Sequence, residues 1–293
     1  MLSTLMQPET LSIIIGVFFG MTSRIMMLRT DYRQYPTYPH GKIIQVSLGF
    51  IAAGLGALVV PALLNKEYTA VTFLALAAQQ FRDVRKMERE TLTNIDEMEL
   101  VPRGTAYIEG IAMVFEGRNY LVIFSALVAS GFTMLFAWYW GILAGIVSLF
   151  ISRWFKSGKA LKEIADVRLM DVRVDGPDLY VGSTYIMNVG LPKDIKIIEE
   201  NGMGVLLTPK DKSAKVTLSD LGQRQAILHN LSVILGVYRD SSEPALVPMA
   251  KLDLDSGELA LFLLPREKDP NQVINIVKGA PTLENAIRLP TNS

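Results

Sequence analysis

Long apolar runs constrain this chain more than any other feature of its sequence. They cover about Leu11–Leu28, Ile43–Leu64, Asn119–Phe136 and Tyr139–Phe155. Helices of this length cross a hydrocarbon core of roughly 30 Å, so each run predicts a membrane span. Residues 1–10 contain no Lys or Arg, whereas a secretory signal begins with basic residues. The first run is therefore predicted to be an uncleaved span.

The segment Tyr68–Phe81 is apolar but shorter than a standard span. The distribution of basic residues favours a crossing, because a crossing here puts three basic clusters on one side of the membrane. These clusters are Arg24/Arg29/Arg33/Lys42, Arg82/Arg85/Lys86/Arg89/Arg103 and Arg153/Lys156/Lys159/Lys162. We therefore predict about five spans, with the N-terminus outside and the C-terminus in the cytoplasm.

The composition changes to that of a soluble protein near residue 156. We predict a helical transmembrane domain over 1–155, with a cytoplasmic amphipathic segment at 82–118, and a soluble α+β domain over 156–293. Within the soluble domain we expect a strand at 179–189, a hairpin joining 195–198 to 205–207 and a second hairpin joining 249–254 to 258–264. Ser219 or Asp220 is expected to open a helix, and a further helical segment is expected at 271–278.

Composition also excludes several function classes. The formal net charge is zero, which argues against a nucleic-acid partner. There are no cysteines and only two histidines, His40 and His229, so neither a metal site nor a cofactor is predicted. The hairpin formed by the last two runs contains no Asp, Lys or His, which argues against an ion path.

The stretch 107–120, YIEGIAMVFEGRNY, leads into the third of the long runs. At helical spacing its apolar residues share one side, which predicts an amphipathic helix at the membrane surface. These residues are Ile108, Ile111, Ala112 and Phe115. A second reading places Glu109 or Glu116 at membrane depth with a functional role, because carboxylates are costly there. Both readings stay open on sequence alone.

The same stretch resembles the signature of a known family. The complete hexapeptide Tyr-Ile-Glu-Gly-Ile-Ala at 107–112 is similar to that of the YIEGIA-domain membrane proteins of endospore-forming Firmicutes. The layout of spans followed by a soluble domain is also similar. This resemblance implies a sporulation-associated, multi-pass protein of the cell or spore inner membrane.

We expect the signature to serve packing and partner recognition. Gly110 and Gly117 would leave room for a second backbone. Glu109 and Glu116 lie seven residues apart, on nearly the same side of a helix, and could bind a basic partner such as the chain's own segment 82–89. Arg118 completes the candidate partner-binding set with Tyr107, Glu109, Gly110, Glu116 and Gly117.

One motif suggests catalysis. Asp255-Ser256-Gly257 follows an apolar strand and resembles the catalytic loop of aspartic proteases, in which two carboxylates share a proton. Asp and Gly are equally common in ordinary β-turns. The preferred hypothesis is a non-catalytic scaffold or regulator that acts through its cytoplasmic domain. Its expected partners are the lipid bilayer and either another protein or a second copy of the chain bound through the spans. The alternative is a membrane-anchored aspartic-type protease that uses Asp255.

Overall fold

The computed structural model describes residues 7–31, 39–99, 101–154, 159–236 and 248–287. The chain divides into two compact units. One unit contains residues 1–91 and 111–157, and the other contains residues 92–110 and 158–293. We call them the helical unit and the α+β unit. Two helices begin in one unit and end in the other.

Helices account for the described N-terminal part of the chain. They are α1 (Pro8–Asp31), α2 (Pro39–Leu64), α3 (Tyr68–Gln79), α4 (Phe81–Asp96), α5 (Thr105–Leu135) and α6 (Trp138–Trp154). Among the described residues, three segments are long and apolar enough to cross a membrane, and they are Pro8–Leu28, Gly41–Leu64 and Thr105–Leu135. The protein therefore has the helices of a membrane protein.

The other two expected spans are shorter helices. Within the described residues, helix α6 has 17 residues, about 25 Å at the rise of an α-helix. Helix α3 has 12 residues, or about 18 Å, within the expected segment 68–81. It follows α2 after a tight turn in which Lys66 has a φ of 60°. A count of five spans is thus not established by helix length.

Small residues bring the helices of the helical unit close together. A Cβ atom built on Gly16 would lie 2.8 Å from the carbonyl oxygen of Ala126, and one built on Gly20 would lie 2.7 Å from the Cβ of Ala53. Gly145 meets the ring of Phe19 in the same way. The GxxxG spacing in α1 and α6 therefore marks helix contacts, as expected for close packing in membrane proteins.

Hydroxyl groups connect the same helices. Ser130 donates a hydrogen bond of 2.7 Å from α5 to the carbonyl of Ala57 in α2. Ser125 of α5 and Ser152 of α6 lie 3.2 Å apart, Oγ to Oγ. Such bonds satisfy polar groups where lipid offers no partner.

The α+β unit contains two antiparallel sheets. The strands are β1 (Ala165–Met170), β2 (Val172–Asp175), β3 (Asp178–Val181), β4 (Thr184–Asn188), β5 (Met203–Pro209), β6 (Met249–Leu252) and β7 (Leu259–Leu263). One sheet has the order β1-β5-β7-β6 and the other the order β2-β3-β4. The helices are α7 (Leu161–Ile164), α8 (Pro192–Asn201), α9 (Lys212–Ser219), α10 (Leu221–Leu235) and α11 (Pro270–Gly279), followed by a 3₁₀ turn at Glu284–Ala286.

All five residues of β7 are buried, because one hydrophobic core lies on each of its faces. Leu259, Leu261 and Leu263 contact the core formed with α10 and α11. Ala260 and Phe262 contact the second core, which the three-stranded sheet and α8 complete. The continuous apolar run of β7 reflects burial on both sides. The α+β class predicted from sequence is confirmed for this unit.

Two strand predictions were wrong. Residues 195–198 belong to helix α8, where Pro192 occupies the first turn and Asp194 adds a favourable negative charge. The expected strand 179–189 is divided between β3 and β4 by a turn at Gly182, which has a φ of 59°. In both cases a local backbone signal outweighed β-branched composition.

Other predictions in this unit were right. Strands β6 and β7 pair as an antiparallel hairpin. Asp220 is the N-cap of α10, since its carboxylate accepts the N–H of Gln223 at 3.0 Å. The expected helical segment at 271–278 is α11.

Candidate functional site

The signature stretch lies in the first four turns of α5. Four of its apolar residues share one buried side with at most 2% exposure: Ile108, Ile111, Ala112 and Phe115. The apolar stripe inferred from helical spacing is therefore confirmed. The helix that carries it runs without a break into the apolar segment that follows.

The beginning of α5 is capped by a side chain from α10. Gly104 precedes the helix, and its carbonyl accepts the first intrahelical bond, from Ile108 at 3.1 Å. Glycine has no side chain to satisfy the free N–H groups of the first turn. The Oε1 atom of Gln225 accepts the N–H of Tyr107 at 3.0 Å instead. A residue 118 positions later in the chain thus accepts the hydrogen bond that an N-cap side chain usually accepts.

Gly104, before α5, and Gly222, in α10, allow these two helices to come close enough for the cap. A Cβ on Gly222 of α10 would lie 2.8 Å from the carbonyl oxygen of Ala106. A Cβ on Gly104 would lie 2.6 Å from the Cδ of Gln225, and the φ of Gly104 is 89°. Larger residues at either position would separate α5 from α10.

An ionic cluster holds the connection from α4 to α5. The Asp96 carboxylate accepts the backbone N–H groups of Arg103 at 2.6 Å and Gly104 at 3.2 Å. The Arg103 guanidinium lies 2.8 Å from Glu99 and 3.7 Å from Asp96. Arg103 is only 9% exposed, so its positive charge needs these carboxylates.

His229 of α10 adjoins this cluster. Its ring centroid lies 6.1 Å from that of Tyr107, in an edge-to-face arrangement. Burial lowers the pKa of His229, and the nearby charge of Arg103 lowers it further. A hydrogen bond to the Pro102 backbone and the charges of Glu99 and Asp96 act in the opposite direction but are weaker. On balance these surroundings favour the neutral form of the imidazole.

Gly110 packs against a side chain and not against a second backbone. A Cβ at position 110 would lie 2.8 Å from Oδ1 and 3.1 Å from Cγ of Asn285, in the 3₁₀ turn. Gly117 has open space around its Cβ position. The two signature glycines were expected to act alike, and only Gly110 makes a close approach.

The later part of the signature belongs to the helical unit. The guanidinium carbon of Arg24 lies 4.9 Å from the ring centroid of Phe115, a cation–π contact. Arg24 Nε also donates to the carbonyl of Gln45 at 3.4 Å. Arg24, one of the residues of the first basic cluster, is fully buried.

The signature carboxylates and Arg118 differ in their surroundings. Glu116 lies 3.6 Å from Arg85 of α4, within the basic segment expected to bind it. Glu109 is half-buried. Arg118, a candidate partner-binding residue, is only 2% exposed. Asn119 beside it is fully buried, and neither of its amide atoms has a hydrogen-bond partner among the described residues.

The Asp255 motif forms an exposed turn. The Asp253 carboxylate accepts the N–H of Asp255 at 3.0 Å and the hydroxyl of Ser256 at 2.7 Å. The Ser256 bond is the main reason that the pKa of Asp253 is lowered. Lys215 donates to the Asp255 carbonyl at 2.9 Å. These local bonds are typical of a β-turn, and those of Asp255 use its backbone N–H and carbonyl.

Sequence reasoning did not predict the residues that hold the signature. Gln225, Gly222 and His229 lie on a helix whose start was predicted, yet no local signal relates them to residue 107. Asp96 lies in the segment predicted to be cytoplasmic and amphipathic, and Arg103 was assigned only to a basic cluster. Their roles depend on contacts between distant parts of the chain.

A membrane-type helical unit joined to an α+β unit, with one signature helix common to both, defines the class of this protein. The family model described as "YIEGIA protein" matches residues 12–293. The chain belongs to the YIEGIA family. It is 53% identical over 279 residues to a Bacillus subtilis (strain 168) protein titled "Uncharacterized protein YphB", covering 95% of this chain and 94% of that protein. No solved structure matches.

Proposed function

We propose that this protein is a multi-pass scaffold or regulator of sporulation that presents its α+β unit to a protein partner in the cytoplasm. The contact that carries this proposal is the capping of α5 by Gln225. Helix α5 begins against α10 and continues as an apolar segment, so the residues that contact α10 and the apolar segment belong to one helix.

The proposed topology has five spans, with the N-terminus outside. The tight turn between α2 and α3 supports a hairpin in the membrane. The short length of α3 is compatible with crossing if the flanking charged residues extend to the interface or the bilayer thins locally. On this arrangement all three basic clusters face the cytoplasm, as the positive-inside rule favours.

The sporulation context rests on the resemblance of residues 107–112 to the YIEGIA signature. We place the protein in the cell or spore inner membrane. Its partner is a protein, or a second copy bound through the spans. The protease alternative requires a second carboxylate near Asp255, from this chain or from a second copy in a dimer, and substitution of Asp255 tests it.

The experiment replaces the chromosomal gene with a Gln225→Ala variant in an endospore-forming host. Loss of the cap frees the N–H of Tyr107 without removing a core side chain. We expect normal amounts of the protein in the membrane and a reduced yield of heat-resistant spores. Asn230→Ala, on the same helix, is the matched control and should sporulate normally. A deletion strain with normal spore yield would contradict the proposed function.

A further inference from the structure

We propose that the free edge of β1 binds an extended acidic segment of a partner protein by strand addition. This inference rests on the proposed function, because it specifies the surface and the chemistry of the partner. Strand addition supplies affinity through main-chain hydrogen bonds and selectivity through flanking side chains.

The edge is available within the described part of the chain. Strand β1 is the first strand of the four-stranded sheet and pairs there with β5 alone. Its residues run from Ala165 to Met170. A six-residue edge is long enough for several main-chain hydrogen bonds to an added strand.

The register shows which backbone groups point outward. Lys210 donates its N–H to the carbonyl of Ile164, and Pro209, which has no N–H, lies opposite Ala165. Hydrogen-bonded pairs alternate along an antiparallel ladder, so Asp166 and Arg168 direct their N–H groups to β5. The N–H groups of Val167 and Leu169 then face the open edge. The N–H of Ala165 is already bonded to Leu161.

A groove of about 500 Å³ runs along this edge. It is lined by Ala165 and Val167, which are buried, and by Asp166 and Arg168, which are exposed. Successive residues of a strand point to opposite faces. A groove that touches residues of both faces therefore lies along the edge and not over one face.

The charge of the groove selects the ligand. Lys162, Arg168 and Lys278 line it and are exposed. The one acidic residue in its lining, Asp166, lies 3.8 Å from the ammonium group of Lys210, outside the lining. A net positive groove beside free backbone donors fits an extended peptide with acidic side chains.

The test uses the full-length protein in lipid nanodiscs and short fluorescein-labelled peptides. The probe alternates valine and glutamate, a reference peptide alternates valine and lysine, and a third is the valine–glutamate peptide with alternate backbone nitrogens methylated. Fluorescence anisotropy measures the dissociation constant of each peptide. Amide hydrogen exchange reports on Val167 and Leu169.

We expect saturable binding of the valine–glutamate peptide, weakened by salt, and no binding of the other two. Exchange at Val167 and Leu169 should slow in the complex. The double variant Arg168→Glu, Lys278→Glu should raise the dissociation constant about tenfold. Lys251→Glu, an exposed lysine on the strand β6 at the other edge of the sheet, should leave it unchanged.

Equal binding of the acidic and basic peptides, or unchanged exchange at Val167, would overturn the proposal. So would a concentration-dependent dimer that Arg168→Glu abolishes, because the occupant would then be a second copy. If the double variant sporulates normally and Gln225→Ala does not, the groove proposal fails and the proposed function stands. If the peptide binds as expected and a deletion strain sporulates normally, the proposed function fails instead.

Discussion

Gln225, which lies on α10, accepts the hydrogen bond that the side chain of the residue before a helix usually accepts. Side-chain caps of this kind contribute roughly 0.5–2 kcal/mol to stability. Gly104 cannot cap, and the conformation it adopts, with a φ of 89°, favours glycine. The cap thus exists only when α10 is in place, which makes the first turn of the signature helix dependent on the α+β unit.

We predict that protonation of His229 makes the free energy of unfolding depend on pH. Its pKa is lowered in the folded protein from an ordinary value of 6.5, so the unfolded chain binds the proton more readily. Its contribution to the free energy of unfolding is complete above that value and is lost as the pH falls through it toward the lowered pKa. We expect the melting temperature of the protein to fall between about pH 7.5 and pH 5.5.

The His229→Gln variant is the matched comparison, because other groups titrate equally in both proteins. It should lose less stability than the wild type over the same pH interval. Thermal unfolding of the full-length protein at each pH provides the measurement. Equal losses in the two proteins would show that His229 does not contribute.

Asp255 separates the two function hypotheses. In the turn it uses its backbone N–H and carbonyl, and both are retained in Asp255→Asn. We therefore expect this variant to fold normally and to support a normal yield of heat-resistant spores. A stable Asp255→Asn protein that abolishes sporulation would favour the protease alternative, because a carboxylate would then be needed for chemistry.

Within α5, we predict that substitutions of the two signature glycines affect stability differently. Gly110→Leu places new atoms against Asn285, and overpacking of this kind costs about 1–3 kcal/mol. We expect a lower melting temperature and less protein in the membrane. Gly117→Ala fills open space within a helix and should be neutral or stabilising by up to about 1 kcal/mol. Equal destabilisation by the two substitutions would contradict the contact with Asn285.

Sequence periodicity predicted elements better than it predicted their partners. The buried stripe of α5, the β6–β7 hairpin and the cap of α10 follow from local patterns. Helix α8 was missed because its isoleucines suggested a strand, whereas Pro192 and Asp194 favoured a helix start. The bonds from Gln225 to Tyr107 and from Asp96 to Arg103 depend on how the chain folds back, which local spacing does not report.

At the scale of the whole molecule, the five-span arrangement predicts which residues are reached from outside the cell. The chain has no cysteine, so single introduced cysteines can be labelled without background. Asn65→Cys, in the α2–α3 turn, should react with a membrane-impermeant maleimide in intact cells. Met98→Cys, at a position 80% exposed, should react only after permeabilisation. Labelling of Met98→Cys in intact cells, or protection of Asn65→Cys, would contradict five spans.

The first turns of the signature helix pack within the α+β unit against the 3₁₀ turn at Glu284–Ala286. A Cβ at position 110 would lie 3.1 Å from Cγ of Asn285, which is close to the Cβ-to-far-sulfur distance of about 3 Å in a disulfide. We predict that Gly110→Cys combined with Asn285→Cys forms an intramolecular disulfide under mild oxidation. Mass spectrometry of non-reduced tryptic peptides would detect the linked pair, and Gly117→Cys with Asn285→Cys should give none. Two free thiols in the oxidised 110/285 variant would contradict the account.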